Sequence, residues 1–273
     1  MIDILKELSV FNRIVFLDRT HTYLIDNKAS AKYSVTGLLE SLKEPFEKEK
    51  WAGIKGKEFG LTAEEIMWGW DQKNMYSKVL GTIFHGYAEN YYNNKVVPYD
   101  KKWVTSQLTP EQHTELRKTL EVLLKQFNNF YNDTKEYLIP VKNELVVGDI
   151  NNTKICGMVD MLCYNTKKEC FEIYDFKTNK EINYSSKFNK KFLAPLDHLE
   201  ACEFNTYSLQ LGLYKKFIED HTSIKIENLY VLWLNKKNDN YQLIPLLNLN
   251  SEIDLVIQKF IEDHVNEKTS DVK

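Results

Sequence analysis

The stretch from Glu144 to Lys177, ELVVGDINNTKICGMVDMLCYNTKKECFEIYDFK, constrains this chain more than any other part of it. Three runs rich in β-branched and aromatic residues are separated by the turn signals Gly148-Asp149-Ile150-Asn151-Asn152 and Asn165-Thr166-Lys167-Lys168, a pattern that predicts three strands joined by consecutive hairpins. The strands carry Glu144, Asp160, Asp175 and Lys177. A strand sends alternate side chains to one face, so Asp175 and Lys177 point the same way and Glu172 points the other. Pairing of neighbouring strands brings Asp160 near Asp175.

Upstream, residues 1 to 12 read as a short helix, and Arg13 to Leu17 with His21 to Ile25 as a hairpin across Asp18-Arg19-Thr20. Short helices are expected to begin near Thr36, to run from Phe46 to Glu58 with Gly60 as the stop, and to span residues 63 to 71 behind the capping pattern Thr62 and Glu65. Trp51, Trp68 and Trp70 fit a core packing role better than a stacking surface, since aromatics at helical spacing are most often buried. Gly81 is expected to open a separate helix that carries His85 and Glu89 one turn apart on one face. Thr109, Pro110 and Gln112 form a helix start, followed by an apolar stripe of Leu116, Leu120, Leu123, Phe127 and Phe130. Tyr137 to Pro140 should connect that helix to the three strands.

Downstream of Lys177 lies a lysine-rich segment with Lys180, Lys187, Lys190 and Lys191, which reads either as a solvated loop or as a set of phosphate contacts. Tyr207 to Glu219 reads as an amphipathic helix with Gln210, Leu213, Tyr214 and Phe217 on one face. Leu229 to Leu234 is a buried strand, Tyr241 to Leu247 its antiparallel partner, and a final helix capped by Ser251 with Asp254 should run through Val265.

A formal charge of -3 argues against wholesale polyanion binding, so any contact with nucleic acid must come from a local patch. The longest apolar runs have strand length, the N-terminus lacks the pattern of a signal peptide, and a cytoplasmic protein without a membrane segment is expected. Cys156, Cys163, Cys170 and Cys202 include no Cys-x-x-Cys pair, so they read as free thiols rather than a zinc or iron-sulfur site.

Two carboxylates with a neighbouring lysine suit phosphodiester hydrolysis. Carboxylate oxygens bind hard cations such as Mg2+ or Mn2+, which lower the pKa of bound water and polarise a phosphodiester, and an amine beside them neutralises developing charge. The information lies in the ordered set rather than in Asp-x-Lys alone. Gly81-Thr82-x-x-His85, Glu144, Gly157-x-x-Asp160, Asp175-x-Lys177-Thr178 and Gln210-Leu211-x-x-Tyr214 together resemble the RecB-like branch of the PD-(D/E)xK nuclease superfamily, which includes phage exonucleases and the mitochondrial genome maintenance exonuclease. Val159 stands where the superfamily's name has proline.

The resemblance implies an α/β fold, a restriction-endonuclease-like core (helix, three strands, helix, strand) with an N-terminal mostly helical elaboration, divided as residues 1–80 and 81–273. By the same resemblance His85, Asp160 and Asp175 bind one or two Mg2+ or Mn2+ ions, with the Phe176 carbonyl as a further oxygen ligand. Lys177 positions or activates the water, Glu144 supports the metal site or the substrate end, and Gln210 and Tyr214 fix the site and the DNA strand. Gly157 leaves room for close backbone packing. Thr178, Lys180, Lys187, Lys190 and Lys191 are the expected backbone contacts to DNA, single-stranded or with a free end. The implied activity is a DNA exonuclease of viral or mobile-element type, without an iron-sulfur cluster, working beside a recombination or replication protein.

Overall fold

The computed structural model describes residues 2–17, 20, 22–29, 33–92 and 106–270 of the chain. Helix α1 (Ile2–Leu8) runs into a 3-10 turn, Ser9–Arg13, and then into a small antiparallel sheet of β1 (Ile14–Leu17), β2 (Thr22–Ile25) and β3 (Lys28–Ala29). Residues 18, 19 and 21, part of the expected hairpin, lie outside the described residues. Ser34 caps α2 (Val35–Ser41) by accepting a hydrogen bond from the Gly37 N–H at 3.1 Å, so that helix starts one residue before Thr36. Next comes α3 (Lys48–Phe59), which stops at Gly60, whose φ of +68° is a conformation that glycine adopts without a steric penalty.

Two helices expected around residues 63 to 71 and from Gly81 onward are one. Helix α4 (Ala63–Tyr92) is continuous for 30 residues and passes through Gly81. Glycine inside a helix costs about 1 kcal/mol relative to alanine, and here burial of Val79, Leu80, Phe84 and Ala88 against the next helix offsets it. The first half of α4 has no fully buried residue, which corrects the core reading of the tryptophans: Trp68 is 65% exposed, and Trp51 and Trp70 are half-buried.

Helix α5 (Pro110–Thr134) begins with a complete capping box between Thr109 and Gln112, and all five residues of its apolar stripe are buried. It leads into a five-stranded sheet of order β4 (Leu138–Gly148), β5 (Cys156–Asn165), β6 (Cys170–Lys177), β7 (Ile226–Trp233) and β8 (Gln242–Pro245). β4 to β6 form the two antiparallel hairpins, β7 lies parallel to β6, and β8 is antiparallel to β7. β4 begins at Leu138, earlier than expected. Its Pro140 is tolerated because β4 is an edge strand with a register shift between Pro140 and Lys142.

Helix α6 (Glu203–His221) makes the crossover from β6 to β7. It is less amphipathic than its spacing predicts, for every residue from Tyr207 to Tyr214 is buried. The cause is a third layer: Ile253, Val256 and Phe260 of α7 (Asn250–Ser270) share one core with Leu209, Leu213 and Phe217 of α6 and with Leu162 and Ile173 of the sheet. Ser251 does not cap α7. It lies inside the helix and bonds the Glu252 carboxylate, while Ile253 N–H closes the first turn on the Leu249 carbonyl. On the other face of the sheet, α4 and α5 pack on Met161, Cys163, Tyr174 and Phe176. This α/β architecture is a restriction-endonuclease-like core with an N-terminal, mostly helical region.

Glu172 points into that second layer, opposite Asp175 as expected, and is fully buried. Its carboxylate accepts hydrogen bonds from Asn165 Nδ2 (3.0 Å), Tyr174 OH (2.7 Å) and Asn228 Nδ2 (3.0 Å) and pairs with Lys168 Nζ at 2.9 Å. Burial alone would raise its pKa, but the hydrogen bonds from Lys168, Asn165 and Tyr174 outweigh it and hold the group below the usual glutamate value. A carboxyl whose folded pKa is depressed contributes stability above its unfolded pKa, and that stability is lost as pH falls through the folded value. Glu172→Ala should therefore destabilise the fold by about 3 kcal/mol at pH 7, with the difference from wild type shrinking below about pH 4, as measured by urea unfolding at both pH values.

Candidate metal centre

The strands bring the acidic residues together through a local failure of pairing. Between β5 and β6 the ladder ends at Met161 and Tyr174, and just beyond it the Phe176 N–H donates to Asp160 Oδ2 at 2.6 Å. A carboxylate thus replaces the cross-strand carbonyl. On the other side of β5, Glu144 sits between the paired positions Asn143 with Met161 and Leu145 with Val159, which sets it across from Asp160. Glu144 has a φ of +48°, a left-handed conformation that few residues other than glycine adopt. Strain of this kind persists where the surroundings over-determine the geometry, as they do at functional sites.

Helix α4 supplies His85. Its Nδ1 lies 3.4 Å from Asp160 Oδ1, and its Nε2 lies 3.1 Å from the Phe176 carbonyl oxygen. One ligand atom from each of His85, Glu144 and Asp160 falls within 4.8 Å of the others. Asp175 is nearly fully buried beside this trio and is turned toward Lys177, with Nζ 2.5 Å from Oδ2. Both side chains of this pair are largely buried.

The charges oppose one another. Burial and the neighbouring Asp160 push the Glu144 carboxyl up to about 8, and burial, together with Asp160, pushes Asp175 up to about 6 despite Lys177. At Asp160, burial is outweighed by His85, Lys177 and the Phe176 N–H, so its pKa is lowered. Burial would lower His85, but Asp160 dominates and raises it to about 9. Lys177 is likewise held charged, with Asp175 and Asp160 overcoming its burial. One imidazole and several carboxylate oxygens within reach of one another are a donor set that fits a hard divalent cation.

Of the residues expected from the sequence, His85, Glu144, Asp160, Asp175, Phe176 and Lys177 are brought together. Gln210 and Tyr214 lie behind them on α6, Gln210 Nε2 donating to Tyr214 OH at 3.0 Å. A Cβ on Gly157 would lie 2.3 Å from Tyr214 Cε1, so glycine is what lets this ring pass under β5. Thr178 is half-buried, and Lys180 is exposed with its carbonyl held by Asn235 Nδ2. Lys187, Lys190 and Lys191 stand further out, along a separate groove. The cavity of about 380 Å³ in front of His85, Glu144 and Asp160 is walled by Phe16 and Tyr23 of the small sheet and by Ser34 and Thr36 at the head of α2.

Two residues escaped the sequence reading. Tyr207 places its ring 4.9 Å from Lys177 Nζ, a cation–π contact, and its hydroxyl accepts from Asn179 Nδ2 at 2.6 Å. Asn179 in turn is fixed by Trp233 Nε1 and Asn235 Nδ2, which donate to its carbonyl. The available signal was positional: Asn179 lies two residues after Lys177, and Tyr207 one turn before Gln210.

Metal binding to this site must displace protons from His85 and the raised carboxyls. Mn2+ affinity should therefore rise by more than about tenfold from pH 6 to pH 8.5, with proton release visible by calorimetry in buffers of different ionisation enthalpy. Gly157→Ala should destabilise the protein by about 1–3 kcal/mol through overpacking, and Tyr214→Leu in that background should recover part of the loss in urea unfolding.

No curated protein matches the sequence. The crystal structure of SSO0001 is similar over 70% of this chain and 85% of that one, at 11% identity and a TM-score of 0.31, a likeness too slight to carry an argument. Residues 58–265, by contrast, match the PD-(D/E)XK nuclease superfamily. That span holds α4, all five strands of the large sheet and α6, the elements that supply His85, the three acidic residues, Lys177, Gln210 and Tyr214. The chain that carries this donor set belongs to the PD-(D/E)XK nuclease superfamily.

Proposed function

We propose that this nuclease is a Mg2+- or Mn2+-dependent DNA exonuclease of the RecB-like branch, hydrolysing phosphodiester bonds at DNA ends in replication, recombination or repair, of viral or mobile-element type. The observation that carries the hydrolytic reading is the convergence of His85, Glu144 and Asp160, with Asp175 and a charged Lys177 directly behind them. Nucleases of the superfamily use divalent metals. No helix among the described residues is long and apolar enough to cross a membrane.

His85, Asp160, Asp175 and Glu144 would hold the ion, which when bound lowers the pKa of water and polarises the phosphodiester. The Phe176 carbonyl, already turned toward His85, offers a further oxygen. Lys177 is kept protonated by Asp175 and Asp160, so it orients the attacking water by donating to its oxygen and offsets charge on the phosphate. The water oxygen bonds to phosphorus as the bond from phosphorus to the leaving nucleoside oxygen breaks; the water's proton passes to solvent in the cavity, and the leaving oxygen takes a proton from solvent. Tyr207 and Asp175 restrict the lysine to one position, and Tyr214 with Gln210 supports the floor beneath Asp160.

Lys177→Ala and Asp175→Ala should each slow degradation of labelled linear DNA in Mg2+ by about a hundredfold or more. Equal rates in both variants and the wild type would refute the nuclease reading for these residues. Closed circular single-stranded DNA should stay intact under the same conditions; its cleavage would replace exonuclease by endonuclease action.

A further inference from the structure

Outside the metal centre, a groove of about 480 Å³ opens between the N-terminal helices and the loop that follows β6. Its aromatic lining comes from two regions of the chain. Trp51 of α3 stacks on Phe188 of the loop, with centroids 5.7 Å apart and planes 26° from parallel, and Phe46 meets Trp70 of α4 at 5.8 Å. Phe188 is 78% exposed and Phe46 64% exposed, so these rings are not explained by core packing.

Phe188 also has a φ of +70°, and Asn189 after it +51°. A bulky aromatic residue in the left-handed region is an outlier, held here in a position where its ring faces Trp51 instead of the interior. The charge of the groove runs against that of the chain. Five lysines, Lys43, Lys55, Lys187, Lys190 and Lys191, line it against two glutamates, Glu44 and Glu203. Lys190 pairs with Glu44 at 3.0 Å and so ties the loop to the N-terminal region, whereas Lys187 and Lys191 have no carboxylate partner among the described residues.

Flat rings with lysines beside them match one ligand chemistry: unstacked bases on a phosphate backbone. We propose that this groove is a gripping site for a single strand of DNA, with a base held against the Trp51 and Phe188 pair, a second against Phe46 and Trp70, and phosphates on Lys187 and Lys191. The proposal rests on the nuclease reading for its choice of DNA, but the groove is separate from the metal centre. The two are joined by α6: Glu203 lines the groove, Tyr207 one turn on touches Lys177, and Gln210 follows about 10 Å along the axis from Glu203. A strand held in the groove is thereby delivered toward the scissile position.

The test is binding of a fluorescently labelled dT12 strand to the full chain in EDTA, where no hydrolysis intervenes. Phe188→Ala, at an exposed position, and Trp51→Ala should each weaken binding by about tenfold or more, and Trp51→Phe should restore most of it. Lys187→Ala and Lys191→Ala should each flatten the salt dependence of log K by about 0.7. Unchanged dT12 affinity in both Phe188→Ala and Trp51→Ala overturns the proposal, as does tighter binding of a blunt duplex or of the corresponding RNA strand. If wild type grips dT12 through these rings yet cleaves nothing in Mg2+ or Mn2+, the groove stands and the nuclease reading falls.

Discussion

Asp160 takes the place of a missing backbone partner, and the site is built outward from that substitution. Where the β5–β6 ladder stops, the Phe176 N–H needs an acceptor, and a buried donor left without one would cost about 1–3 kcal/mol. The carboxylate fills that need with one oxygen and faces His85 with the other. A single side chain thus closes the sheet, fixes the helix that crosses it and leaves a negative charge at the centre. Removing it would loosen the fold and the chemistry together.

Burial then makes the neighbouring charges interdependent. Glu144 and Asp175 lose hydration without gaining enough positive charge, which drives their pKa values up, while Asp160, His85 and Lys177 share the compensation available. Such a cluster is poorly balanced by itself and better balanced around a cation. Lys177 is held charged by Asp175 and Asp160, which outweigh its burial, and it lies against the face of Tyr207.

The hairpins from Glu144 to Lys177 were legible because turn residues and alternating apolar positions are local signals, and the superfamily pattern rests on residues within or beside them. The start of α5 was legible for the same reason, since the capping box is a four-residue event. Five features were not. The continuity of α4 through Gly81 depends on α5 packing against it, and the all-round burial of α6 depends on α7, both distant in sequence. The tryptophans of α3 and α4 share their spacing with core residues, and among the described residues no layer buries them. Tyr207 was missed because a ring under a lysine has no fixed sequence spacing. The left-handed backbone of Glu144 has no local signal either, because glutamate is not a residue that announces it.

Trp70 and His85 sit on the same helix, fifteen residues and so about 22 Å apart along its axis. The unbroken helix sets the spacing between Trp70, at one edge of the groove, and His85. The enzyme in effect carries a ruler. On the proposed gripping role, a strand engaged at both ends would have its reacting phosphate set by counting from the gripped bases, and a fragment shorter than that interval would occupy one end only.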